Sequence, residues 1–147
     1  MDEIDAKILT ELNKDARKSF RDIAAEIKVS PGTVYNRVEK MEKDKVILGY
    51  IPIVDAEKVG YTLFAVINFR VSKGKLIEAE NEISKHERVF SVYDITGDWD
   101  AVALCRFKGR KDLDEFVKWA QTVHYVERTY TQMVLNIVKE DKKVSPP

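Results

Sequence analysis

The tightest constraint on this chain is the gap between two short apolar stripes. Ile23, Ala24 and Ile27 fall on one helical face, and Val34, Val38 and Met41, at i, i+4 and i+7, fall on another. Ser30 and Pro31 suit the cap and first position of the second helix. That leaves Lys28-Val29 as the connection, too short for anything but a tight turn. The earlier helix starts at Ser19, with Asp22 three residues on, a pattern resembling a capping box with Asp in place of Glu. Upstream, Ile4, Ile8, Leu9 and Leu12 recur at helical spacing. Asp2 and Glu3 suit the positive end of that first helix and Lys14 its other end. A supporting helix followed by two short helices about a tight turn is a helix-turn-helix.

The period changes further on. Gly49 to Val54 reads as a short strand or wing, interrupted at Pro52, and Asp55 to Gly60 as a connector. Leu63 to Val71 is β-rich, Lys75 to Lys85 an amphipathic helix, and Val89 to Thr96 a strand. Gly97 to Asp100 is a turn. Ala101 to Phe107 is a strand, Lys111 to Gln121 a helix, and Val126 to Lys139 a long last strand. Lys142 to Pro147 is a polar tail expected to be loose. The expected fold is α+β: a winged helix-turn-helix over residues 1–60, then a ferredoxin-like βαββαβ domain over residues 61–147. Phe64 to Val71 and Val134 to Val138 carry apolar residues on both sides, so the sheet face away from its helices needs a cover. A second copy of the same sheet is the simplest one.

Both domains fit within 147 residues but leave thin cores, which favours burial between subunits. With 25 basic and 25 acidic side chains the chain is formally neutral, which argues against a general nucleic-acid coat protein. Any basic face must come from local placement. Cys105 is the single cysteine, so no intramolecular disulfide forms, in keeping with a reducing cytoplasm. No apolar run is long enough for a membrane span, and the acidic N-terminus is unlike a signal peptide. His86 and His124 lack metal spacing, and no phosphate loop or nucleophile motif occurs, so neither metal nor cofactor is expected.

Two sets of residues could carry function. On the third helix Thr33, Asn36, Arg37 and Lys40 form one stripe at i, i+3, i+4 and i+7. Arg suits guanine edges or phosphate, Asn adenine, Lys phosphate, and Thr either. Ser30 and Gly32 at the helix start allow close approach to phosphate, and Arg17, Lys18 and Arg21 could add contacts from the second helix and its approach. A charged helix face is most often only solvated; the short helix and tight turn before it tip the reading to double-stranded DNA. The second set is the turn Thr96-Gly97-Asp98-Trp99-Asp100. Its amides could hold a carboxylate and its two aspartates an ammonium, which suits a free amino acid. By spacing alone, an ordinary hairpin with solvated aspartates is the better account.

Several segments together resemble the Lrp/AsnC (feast/famine) family of transcriptional regulators. They are Asp2 to Leu12 with its continuation to Arg17, Ile23-Ala24 through Val29-Ser30, and Val34 to Arg37-Val38. Val46-Ile47 to Gly49-Tyr50, Gly60-Tyr61, and Gly97-Asp98-Trp99-Asp100 complete them. The resemblance implies a winged helix-turn-helix joined to an effector-sensing ferredoxin-like domain. It also implies a homodimer that assembles to a tetramer or octamer, with an amino-acid effector between dimers. Carried over, the effector site takes in Asp94, Ile95, Thr96, Gly97, Asp98, Trp99 and Asp100, with Asp114 and Lys118, and Thr129, Tyr130, Thr131, Gln132 and Met133. Where the family often has Gly in the helix-turn-helix turn, this chain has Lys28, and a positive φ there carries strain of order 1 kcal/mol. A rival reading is an enzyme of the related tetrapyrrole (siroheme) decarboxylase type, and a third is an assembly module without an effector.

Overall fold

The computed structural model describes residues 1–141, 143, 144 and 146. The chain divides into two compact units, Met1–Ile53 with the tail from Lys139, and Val54–Val138. The connector over residues 54–60, assigned above to the first domain, groups instead with the second unit. Its Val54, Ala56 and Val59 line a hollow of about 220 Å³ together with Phe90 and Arg106 of the sheet.

The first unit holds α1 (Glu3–Lys14), α2 (Phe20–Ile27) and α3 (Pro31–Lys43). Asp2 caps α1 by accepting from the amides of Ile4 and Asp5, while the Asp5 carboxylate accepts from the Asp2 amide, completing a capping box. The Ser19 hydroxyl accepts from the Asp22 amide at 3.1 Å, and Ser30 Oγ from the Thr33 amide at 3.1 Å. Ile8, Leu12, Ile23, Ala24, Val34, Val38 and Met41 form one buried cluster, as the stripes require. Lys28 ends α2 with φ 59° and ψ 49°, a left-handed conformation that strains any side chain with a Cβ. The wing expected at Gly49–Val54 is not formed as a strand. Pro52 has no amide to donate, and among the described residues no neighbouring strand offers pairing. Part of the expected loose tail, Lys142, Ser145 and Pro147, lies outside the described residues, whereas the Val144 carbonyl accepts from Asn13 Nδ2 at 3.0 Å.

The second unit is β1 (Leu63–Val71), α4 (Leu76–Ile83), β2 (Val89–Asp94), β3 (Ala101–Phe107), α5 (Arg110–Ala120) and β4 (Val126–Met133). The antiparallel sheet runs β2-β3-β1-β4, the ferredoxin-like order. Strand alternation sends Ala65, Ile67, Phe69 and Val71 of β1, and Ala101, Ala103, Cys105 and Phe107 of β3, into a core with Ala79, Ile83, Phe116 and Ala120. β4 stops at Met133 rather than reaching Lys139. Met133 pairs with Ala65 and the Val134 amide reaches Phe64, so the ladder stops within two residues of the start of β1, and the chain from Leu135 onward forms no strand. The face away from the helices presents half-buried Phe64, Val66, Val102 and Leu104, with exposed Tyr93 and Tyr130 at its sides.

Candidate functional site

The polar faces of the first unit are set by where α3 points. Val34, Val38 and Met41 face inward, so Gly32, Asn36, Glu39, Lys40 and Lys43 are exposed, with Thr33 at the margin. Ser30 and Thr33 are partly committed to the cap, their hydroxyls 2.8 Å apart. Arg17 and Arg21 are exposed near the start of α2.

Two of the predicted DNA-contact residues, Arg37 of the stripe and Lys18 from the approach to α2, are placed in ion pairs within the helical unit. Arg37 lies three residues after Val34 and four before Met41, on the flank of the buried side. Its Nη1 donates to the Asp2 carboxylate and to Asp5 Oδ1, the latter at 3.2 Å, tying α3 to the N-terminus of α1. The hydrogen bond to Asp2 raises the guanidinium above its ordinary pKa. Lys18 is likewise held, donating to Glu11 Oε2 at 2.7 Å and pairing with Glu26. Hydrogen bonds from Lys14 and Lys18 pull the Glu11 carboxyl down to about 2. Both cations join the protein's own helices. The stripe overlooked Tyr35, which is 54% exposed and lies edge-on to Phe20 at 6.3 Å. The signal was its i+3 spacing from Gly32.

In the second unit the turn between β2 and β3 is anchored to β1. The Asp100 amide donates to the Phe69 carbonyl at 3.0 Å, and Asp100 Oδ2 accepts from the Val71 amide at 2.8 Å. Arg70 donates to the Asp98 carbonyl and lies 3.9 Å from Asp100 Oδ2. Asp100 is therefore occupied, while the Asp98 carboxylate has no partner among the described residues. Ile95 donates to the Asp100 carbonyl, and Gly97 sits at φ 112°, where a Cβ would be strained. The amides of Thr96, Gly97, Asp98 and Trp99 make no hydrogen bond among the described residues, leaving four donors at one tight bend. Trp99 stacks on Tyr130 at 5.8 Å, with Arg70 and Arg128 over its ring.

Of the remaining predicted effector residues, Tyr130 reaches this turn by its stacking on Trp99. Asp114 and Lys118 pair with each other at 2.6 Å on exposed α5. Along β4, Thr129, Thr131 and Met133 lie opposite Phe69, Ile67 and Ala65, on the helix side of the sheet, whereas Tyr130 and Gln132 share the other face. Asp94 ends β2 and is exposed. No cluster of metal-ligating side chains occurs among the described residues.

Comparison with known families decides what the two units are. Residues 1–42 match the AsnC-type helix-turn-helix domain and residues 64–144 the Lrp/AsnC ligand binding domain. The chain belongs to the Lrp/AsnC family. An uncharacterized HTH-type transcriptional regulator of Pyrococcus abyssi is 42% identical over 146 residues, covering 99% of each chain. The HTH-type transcriptional regulator FL11 of the same organism is 34% identical over 140 residues, 95% of this chain and 93% of its own. Among solved structures, Escherichia coli AsnC superposes with a TM-score of 0.92 at 25% identity, covering 99% of both chains. A Neisseria meningitidis transcriptional regulator solved as an L-Met complex shares the fold, at TM-score 0.90 and 23% identity over 98% of this chain and 96% of that one. This Lrp/AsnC protein is thus a transcriptional regulator with a DNA-binding helix-turn-helix and a ligand-binding domain, in a family whose members here carry regulatory and not enzymatic names. That sets aside the decarboxylase reading. No helix among the described residues is long and apolar enough to cross a membrane.

Proposed function

We propose that this regulator reads duplex DNA through the outward side of α3 and responds to a free amino acid held at the β2–β3 turn. The observation that carries the first half is the exposed polar face of Asn36 and Lys40 on a helix set by a tight turn. Arg17 and Arg21 supply phosphate contacts, Thr33 and Asn36 face bases, and Gly32 with the capped N-terminus lets the backbone approach phosphate. Arg37 and Lys18 act as positioning residues.

The four unengaged amides from Thr96 to Trp99 support a carboxylate-binding bend, and the Asp98 carboxylate an ammonium partner. The L-Met complex of the Neisseria regulator supports the same ligand class. The apolar face of Phe64, Val66, Val102 and Leu104 supports a homodimer through facing sheets, and further assembly to a tetramer or octamer would bring Asp114, Lys118 and the β4 residues of neighbouring copies to the turn. The protein works in the cytoplasm, where its lone thiol stays reduced.

Fluorescence anisotropy with duplex DNA at graded salt tests the DNA half. Affinity falls as salt rises, Lys40→Ala reduces the salt slope by about one, and Asn36→Ala costs about 1–3 kcal/mol on the preferred sequence. An affinity indifferent to salt refutes it. Calorimetric titration of the twenty amino acids tests the effector half, and heat from none of them removes it.

A further inference from the structure

We propose that Tyr35 and Gly32 form an apolar notch on α3 that takes the C5-methyl group of a thymine, beside Asn36. The proposal rests on the DNA-binding reading above and adds which bases the helix prefers.

Gly32 lies in the first turn of α3, and a Cβ built on it would meet only Ser30 Oγ, at 3.8 Å, an ordinary contact. Its φ is not in the left-handed region, so neither backbone conformation nor crowding calls for glycine there. A glycine in a helix costs backbone entropy that alanine would not. What it leaves is bare surface at the end of the helix that enters a groove.

Tyr35 closes one side of that surface. Residues three and four apart on a helix are neighbours, so Gly32, Tyr35 and Asn36 adjoin. Side chains on a helix lean toward its N-terminus, so Tyr35 leans toward the turn that contains Gly32, while none of its atoms comes within 4 Å of a Cβ built there, which leaves the step open. The ring is braced at 65° against Phe20, which packs on the buried cluster of the first unit. Its hydroxyl makes no hydrogen bond among the described residues, and over half of the residue is exposed. The result is a flat apolar wall beside an empty step, with an amide on the other side. A thymine methyl is the apolar group that projects into the major groove, and Asn pairs with adenine there. The notch therefore favours A·T pairs under the first turn of α3.

The test begins with duplexes selected by the intact protein from a random library. Thymines in the selected duplex are then replaced one at a time by uracil, which removes only the methyl group. For the wild type, one position weakens binding about fourfold, the worth of burying one methyl-sized group. Tyr35→Ala binds the thymine and uracil duplexes alike, Tyr35→Phe keeps the wild-type difference, and Gly32→Ala, which the fold accommodates, reduces it. The proposal is overturned if no uracil substitution affects the wild type, or if Tyr35→Ala retains the full difference. It is overturned too if Tyr35→Phe loses the difference, which would make the phenol hydroxyl a phosphate contact. Circular dichroism of each variant checks that the helical unit is intact. If the wild type enriches no duplex, the DNA-binding reading itself fails, an outcome separate from enrichment without methyl preference.

Discussion

At the scale of single residues, the helix-turn-helix depends on charges that point inward. Arg37 joins the two carboxylates that also cap α1, so one guanidinium serves a helix start and a helix pair at once. The Asp5 amide and then Arg37 hold the Asp2 carboxyl below its ordinary 3.8. A depressed carboxylate stabilises the fold at pH above its unfolded value and stops doing so as pH falls through the folded one. Arg37→Ala therefore lowers the melting midpoint of the helical unit at pH 7, and the gap to wild type closes as the pH is taken well below 3.8. Thermal melts followed by circular dichroism over that range check it, and a gap that persists in acid refutes it. The pairing of Arg37 with Asp2 and Asp5 was not legible, because the stripe was drawn by residue type. The spacing to Val34 and Met41 already put it on the flank of the core. Lys28 was legible through the family resemblance, which puts Gly at this turn, and its φ of 59° is left-handed despite the Cβ.

At the scale of elements, apolar period fixed which segments are helices and which are strands, because each stripe has one core to face. The ends were less legible, since they depend on partners the sequence does not mark. β4 ends within two residues of the start of β1, and among the described residues no strand pairs with Gly49–Val54. Helix starts are marked locally by their caps. Ser30 accepts from the Thr33 amide and shares a hydrogen bond with its hydroxyl. Ser30→Ala is expected to cost about 1 kcal/mol of unfolding free energy by urea titration, with Ser30→Asp recovering most of it. Equal stability of Ser30→Ala and wild type would show that the cap contributes nothing to α3.

At the scale of the whole molecule, the sheet explains why the candidate effector residues were only partly legible. The turn from Asp94 to Asp100 stood out by its glycine and aspartates, but Asp114, Lys118 and alternate residues of β4 lie apart from it within one chain. Leu104 lies mid-strand on the face that has no helix over it. Leu104→Arg is expected to lower the mass measured by light scattering while leaving far-ultraviolet circular dichroism unchanged, and an unaltered mass would show that copies meet elsewhere. The anchoring of Asp100 to both Phe69 and Val71 has a mechanical consequence. A guest seated in the bend tugs on one of the two inner strands, so news of its arrival starts within the sheet where two copies would meet rather than at a dangling loop.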